Sequence, residues 1–189
     1  EWKTIRLKDC FSISAGGDVQ KDCFSEAPSL QYKYPIYSNS LFNHGLYGFT
    51  SHPRHKANSI TITGRGALGH AEYREIDFDA IVRLLVLAPK IPLNGQYITE
   101  YINFRKPFFY ESTGVPQLTA PQIANIQVLF PPLGEQRKIA EVLGVWDEAI
   151  EKQARLIEKL ALRKRALMQR LLSAKLRLPG FSSPWQKVK

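Results

Sequence analysis

Residues 135–171 read EQRKIAEVLGVWDEAIEKQARLIEKLALRKRALMQRL, and within them Leu143, Trp146, Ile150, Gln153, Ile157, Leu160, Lys164, Leu167 and Leu171 recur in alternating steps of three and four. Seven of these nine positions are apolar, the heptad pattern of one long helix that buries a narrow seam. Pro131-Pro132 places rigid residues ahead of it, and Glu135 puts a carboxylate in its first turn, where the helix dipole favours negative charge. Pro179-Gly180 marks the exit. Gly144, at a cost of about 1 kcal/mol relative to Ala, softens the first turns. Forty residues of helix extend about 60 Å, too far to lie wholly on a core of about 130 residues. Something else must cover the seam, which predicts a coiled coil whose register is set by the polar intrusions Gln153 and Lys164. The competing reading is an amphipathic helix folded back onto its own domain.

The remaining composition fits this division. The chain has 189 residues, 44% apolar and 11% aromatic, enough for a substantial core. Its formal charge of +9 and pI near 9.6 favour a polyanionic partner. Residues 1–132 carry 13 basic and 11 acidic side chains, net +2, and residues 133–189 carry 13 and 6, net +7, with no acid after Glu158. The longest apolar run, residues 80–88, is interrupted by Arg83 and is far short of the roughly 18 residues of a membrane span. Cys10 and Cys23 are too few for a disulfide scaffold or a zinc knot; two buried thiols in a reducing cytoplasm are expected. No signal-like start is present, and the chain opens on Glu1 rather than Met, so it reads as cut from something longer.

Residues 1–132 read as a mixed α+β domain of short elements. Residues 59–63 (SITIT) alternate like a half-buried strand, and residues 80–88 read as one core strand. Asn94 is placed to cap a helix with Tyr97, Tyr101 and Phe104 on its core face, and Thr119 to cap a short turn through Pro121 ahead of a strand at residues 126–130. Loops rich in Asn, Ser, Gly, His and Tyr lie between, chiefly at residues 37–55. Trp2-Lys3-Thr4-Ile5-Arg6 and Trp185-Gln186-Lys187-Val188-Lys189 share one pattern at an offset of 183 residues. The expectation is one complete repeat and the opening of the next, divided into a domain over 1–132, a helix over 133–178 and a linker with the second start over 179–189.

Gly64-Arg65-Gly66-Ala67-Leu68-Gly69 matches the dinucleotide fingerprint, but that motif needs a helix immediately after it. Residues 73–78 instead alternate like a strand or loop. The other readings are a glycine-rich turn presenting Arg65, whose fork suits a phosphate or a guanine edge, and a plain turn with a solvated Arg. Catalytic constellations are missing: no Asn/Asp-Pro-Pro-Tyr motif for methylating an exocyclic amine is present, and His44, His52, His55 and His70 have neither helical pairing nor a cysteine cluster to make a metal site. Asp77 and Asp79 would share one face of a strand end, where such a pair is ordinarily solvated.

Three runs, Gly114-Val-Pro-Gln-Leu-Thr119, Ile126-Gln-Val-Leu-Phe-Pro-Pro132 and Glu135-Gln-Arg-Lys-Ile-Ala-Glu-Val-Leu143, together with Arg177-Leu-Pro-Gly-Phe-Ser182, strongly resemble the specificity subunit of type I restriction-modification systems. The most specific part is Pro-Pro-x-x-Glu-Gln-x-x-Ile-Ala. The resemblance implies a target-recognition domain that reads one half of a bipartite double-stranded DNA site. It also implies a conserved helix that pairs antiparallel as a spacer. Methylation subunits carrying S-adenosylmethionine and a restriction subunit would dock on the assembly. It implies two such units in a full subunit, where this chain has one, either a truncated subunit or a half-subunit that pairs with itself through the long helix. No cofactor, catalysis or membrane association of its own is implied.

Base readout calls for Asn or Gln against adenine and Arg or Lys against guanine, on loops that reach a groove. The candidates are Asn39, Asn43, Tyr47, Arg54, His55, Lys56, Arg65, His70, Arg105, Lys106 and Gln117. The expected helix interface is Leu143, Trp146, Ile150, Ile157, Leu160, Leu167 and Leu171. Arg163, Lys164, Arg165 and Arg170 suit phosphates, a solvated face or a subunit interface. Two other functions stay open on sequence alone: a small nucleotide- or S-adenosylmethionine-dependent enzyme built on residues 64–69, and a coiled-coil adaptor with no nucleic-acid role.

Overall fold

The computed structural model describes residues 1–105, 117–183 and 185. They fall into two compact units, residues 1–140 and 141–189. In chain order the elements are β1 (Lys3–Arg6), α1 (Leu7–Cys10), β2 (Phe11–Ala15), β3 (Phe24–Ser25), β4 (Tyr34–Tyr37), β5 (Leu46–Thr50), β6 (Ser59–Ile62), β7 (Ala71–Arg74), β8 (Asp79–Ala80), β9 (Leu85–Pro89), α2 (Gly95–Arg105), α3 (Ala120–Ala124), β10 (Gln127–Phe130) and α4 (Leu133–Leu172).

Three sheets build the first unit: β2-β9-β6-β7, all antiparallel; β3-β5-β4-β8, with β4 and β8 parallel; and the pair β1-β10. Side chains alternate across β6 and β9, so the two faces meet different neighbours. Ile60, Ile62, Leu85 and Leu87 join Tyr97, Ile98 and Ile102 of α2 and Val128 of β10 in the main core. Val86 points the other way, into a smaller cluster with Phe78, Ala80, Leu84 and the flank of Tyr37. The alternation at residues 59–63 therefore does not mean half burial: all four β6 residues are buried, because the second cluster covers the polar side as well.

A buried charge links the two layers. Arg74 is 6% exposed. It pairs with Glu72 at 2.7 Å, donates to Thr61 Oγ1 at 3.0 Å and to the His44 carbonyl at 3.0 Å, and lies 3.6 Å over the Tyr37 ring. Burial pulls its guanidinium below the ordinary arginine range, while the Glu72 carboxylate opposes that shift. The chain entering β6 is tied to β8 in the same way: Arg54 Nε donates to Asp79 at 2.7 Å, and His55 exchanges backbone hydrogen bonds with Phe78 and stacks on its ring at 5.4 Å. Asp79 is thus buried rather than solvated; Asp77 accepts from Lys56 at 2.9 Å and from the Ala57 N–H.

Residues 80–88 do not form one strand. Leu84 N–H donates to the Ile81 carbonyl at 3.0 Å around Val82 and Arg83, both left-handed at φ 54° and 60°. This conformation is costly for a β-branched residue. On α2, Asn94 Oδ1 accepts from the Tyr97 N–H at 2.8 Å as the expected cap, and the Tyr97 hydroxyl, pushed up to about 12 by burial, donates to the Leu129 carbonyl. Phe104 departs from the expected stripe: it is 83% exposed, and Ile98 and Ile102 take the core face. Gly95 is required here, since a Cβ would lie 2.3 Å from the Tyr73 ring. Thr119 N–H donates to Gln122 Oε1 at 2.8 Å at the start of α3. Cys10 is buried and burial raises its thiol; Cys23 is only partly buried, contrary to expectation.

The start of α4 belongs to the first unit. Gln136 is fully buried; its amide donates to the Pro131 carbonyl and accepts from the Asn94 N–H, both at 2.9 Å. Ala140 is buried and Ile139 packs on the core. Trp2 Nε1 donates to Glu135 at 3.1 Å. The compact unit therefore runs to residue 140 rather than stopping at 132.

In the second unit α4 continues to Leu172, with ion pairs Glu148–Lys152 and Glu151–Arg155 one turn apart. Leu143, Trp146, Ile150, Ile157, Leu160 and Leu167 are exposed, and Leu171 is partly so. Beyond it Leu171, Leu172, Leu176, Phe181 and Trp185 line an apolar cleft of about 330 Å³, with Arg177 5.5 Å from the Trp185 ring centre. No helix among the described residues is long and apolar enough to cross a membrane.

Replacing Gln136 by Leu orphans the Asn94 N–H and the Pro131 carbonyl, and is expected to lower unfolding stability by about 2–4 kcal/mol in urea titrations. Burial holds the His55 imidazole below its ordinary value, so protonation favours the unfolded chain, and the stability it contributes is complete above about pH 6.5 and declines as pH falls. Melting curves of His55→Phe, which keeps the stack on Phe78, are expected to lose part of the wild-type decline below that pH.

Candidate functional site

At one end of the two large sheets several connections run out together: residues 38–45 from β4 to β5, 63–70 from β6 to β7, 81–84 from β8 to β9, and Gly16-Gly17 after β2. Their short spans leave the backbone few choices, and the left-handed residues collect here. Asn43, His44, Gly45, Gly66, Gly69, Val82 and Arg83 all have positive φ. Strain of this kind persists only where the surroundings fix it, and it gathers at functional sites.

Hydrogen bonds weld these loops. Asn39 Oδ1 accepts from the Gly64 N–H at 2.7 Å, and its Nδ2 donates to the Val82 carbonyl at 2.5 Å. Val82 and Arg83 N–H groups donate to the carbonyls of Gly17 and Gly16 at 2.9 and 3.0 Å, and Leu118 N–H to the Gly64 carbonyl at 2.9 Å. Thr63 donates its hydroxyl to the Ala67 carbonyl and accepts from the His70 N–H. Arg74 holds His44 from below, as described. A cleft of about 340 Å³ opens between the loops, lined by Gly16, Gly64 and Leu118 together with Arg65, Arg83 and Gln117. Arg65 Nη2 donates to Gln117 Oε1 at 3.4 Å.

The expected base-reading residues separate into two groups. Arg65 and Gln117 meet in the cleft, and Asn39 lies behind it as a clamp whose amide is engaged on both sides. Asn43 is exposed on the strained loop; Tyr47 follows it, exposed, with its ring 5.6 Å from Phe24. His70 leaves the 63–70 loop with its ring 3.2 Å from Glu72. Asn103 makes two 2.9 Å hydrogen bonds with the backbone of Ala71, the first residue of β7, and so brings the last turn of α2, with Arg105, to the same end. His55 and Lys56 do not join them, being engaged with Phe78 and Asp77 on the approach to β8, whereas Arg54, paired with Asp79, also donates to the Asp18 carbonyl at 3.1 Å and so lies beside the Gly16-Gly17 connection. Lys106 lies outside the described residues. Arg83 escaped the sequence reading because residues 80–88 read as a single strand; its one signal was a charge inside an apolar run.

Chemically, the cleft offers planar forks and an amide on rigid supports, with no acid among the described residues that line it. No group of three His, Cys, Asp or Glu among the described residues could hold a metal. The Gly64–Gly69 loop runs directly into β7, so no helix N-terminus follows it to meet a pyrophosphate.

The family model described as "Type I restriction modification DNA specificity domain" matches residues 1–161. A Mycoplasma pneumoniae protein named as a type I specificity subunit is 33% identical over 144 residues, 76% of this chain and 39% of that protein. The MpnII type I restriction enzyme specificity subunit of the same organism is 28% identical over 152 residues, 78% of this chain and 44% of the relative. Among solved structures, the S subunit from M. genitalium superposes with a TM-score of 0.69 at 19% identity, over 92% of this chain and 46% of that one. The HsdS subunit from Thermoanaerobacter tengcongensis gives 0.59 at 19% identity, over 92% and 43%. The chain thus spans less than half the length of these relatives. With its family model covering residues 1–161, the chain belongs to the type I restriction-modification DNA specificity family.

Proposed function

We propose that the loop end of the first unit reads one half of a bipartite double-stranded DNA site, and that the chain supplies sequence specificity to a complex whose chemistry is done by other subunits. The observation that carries this is the Arg65–Gln117 cleft, built on loops held by side-chain and backbone hydrogen bonds. Paired donors and acceptors on a rigid frame are what distinguishing base edges requires. The other half of the site falls to a second unit of the same kind, in the same polypeptide or in a second copy.

The exposed seam of α4 is the surface through which two such helices pair antiparallel, and the assembly docks methylation subunits, which bring S-adenosylmethionine, and a restriction subunit. Arg163, Lys164, Arg165 and Arg170 add phosphate or subunit contacts along the helix. This reading assigns the chain no catalysis of its own and a cytoplasmic location beside its DNA.

With the chain assembled with its methylation subunit, sequencing of methylated adenines is expected to return one bipartite motif. Arg65→Ala is expected to relax one position of it and to weaken specific binding by roughly ten- to hundredfold, from the 1–3 kcal/mol of a bidentate base contact. An unchanged motif and affinity would remove Arg65 from the site. DNA affinity that does not fall with added salt would instead favour an adaptor role, because phosphate contacts release counterions. Ile157→Glu is expected to abolish helix-mediated assembly in light scattering, with no change in the melting of the first unit.

A further inference from the structure

Two arginine-bearing turns flank a single side chain. Asn39 accepts from the N–H of Gly64, immediately before Arg65, and donates to the carbonyl of Val82, immediately before Arg83. The turns also touch directly: a Cβ at Gly64 would lie 3.2 Å from the Arg83 carbonyl and 3.0 Å from that of Leu118. Arg83 is held in the left-handed region by the Gly16 and Gly17 carbonyls. Arg65 and Arg83 both line the same cleft, with no acid among the described residues that line it. Two cations on the lining of one cleft gain from an acceptor-rich occupant. In duplex DNA the candidates are a phosphate and the O6/N7 edge of guanine. The geometry favours guanine. Arg83 rides on a fixed turn and Arg65 is steadied by Gln117, whereas a phosphate contact needs charge and little orientation.

We infer that Arg65 and Arg83 each read one guanine of the half-site, and that Asn39 is a positioning residue setting the distance between the two forks. This rests on the reading of the loop end as the DNA-facing surface. Arg83 is then a specificity determinant in its own right.

The test is selection from a random duplex library by the chain assembled with its methylation subunit, with Arg65→Ala, Arg83→Ala, Arg83→Lys, Asn39→Ala and Asn39→Asp compared with wild type. The two alanine variants at the arginines are expected to relax different G·C positions, each with a ten- to hundredfold loss on the selected duplex. Arg83→Lys is expected to weaken the same guanine preference less than Arg83→Ala does, while keeping the wild-type salt dependence. Asn39→Ala is expected to blur both positions. Asn39→Asp, which still accepts from Gly64 but presents an acceptor to the Val82 carbonyl, is expected to blur only the Arg83 position. If Arg83→Ala weakens all duplexes equally and lowers the salt slope, Arg83 contacts phosphate and the inference fails. If the Asn39 variants lower the melting temperature and leave the motif intact, the spacer role fails. If the wild-type assembly selects no motif, the functional reading falls and takes this inference with it.

Discussion

A primary amide sealed from water must find its partners inside the protein or cost the fold its desolvation. Gln136 finds them at the Pro131 carbonyl and the Asn94 N–H, so the first turn of α4, the end of β10 and the N-terminus of α2 are placed by one side chain. Asn94 in turn caps α2, and α2 covers the central sheet. Glu135, one residue earlier, takes the indole N–H of Trp2 and ties in β1. Ile139 and Ala140 finish the contact in the core. Glu135, Gln136, Ile139 and Ala140 of the Pro-Pro-x-x-Glu-Gln-x-x-Ile-Ala run thus each have a physical task.

The second dependence is between a stiff interior and strained loops. Left-handed Asn43, His44, Val82 and Arg83 each cost on the order of 1–3 kcal/mol, and they survive because Arg74, Asn39 and the backbone of Gly16-Gly17 hold them. A loop end built on flexible glycine–serine links would avoid that cost and lose the orientation. Buried Arg74 acts at a distance in this sense: bonded to Glu72, Thr61 and His44 at once, it transmits the registry of β6 and β7 to the loop after β4.

Periodic features were readable directly. The length of α4, the caps at Asn94 and Thr119 and the diproline entry all follow from local spacing and local chemistry. What escaped was decided by tertiary pairing. Arg54, His55 and Lys56 look like a basic recognition segment, yet their partners Asp79, Phe78 and Asp77 lie more than twenty residues on and meet them only in the folded sheets. Asn39 carries the right amide for adenine, and its use as a clamp depends on two turns that bring Gly64 and Val82 to it. Arg83 was hidden because Ala-Ile-Val-Arg-Leu-Leu-Val contains no glycine, proline or asparagine to announce a turn. Phe104 fits the core spacing of its helix, but Ile98 and Ile102 hold the face that meets the core.

Strand β1 runs antiparallel to β10, with Lys3 opposite Phe130 and Arg6 opposite Gln127, so the path into the first unit and the path out of it lie side by side. The residues between Arg6 and Gln127 leave and return at that one pair of strands, and the first turns of α4 hold them a second time through Gln136, Ile139 and Ala140. A body exchanged for another on the same two strands keeps the start of α4 in place only if it also supplies a donor where the Asn94 N–H stands and an apolar face for Ile139 and Ala140.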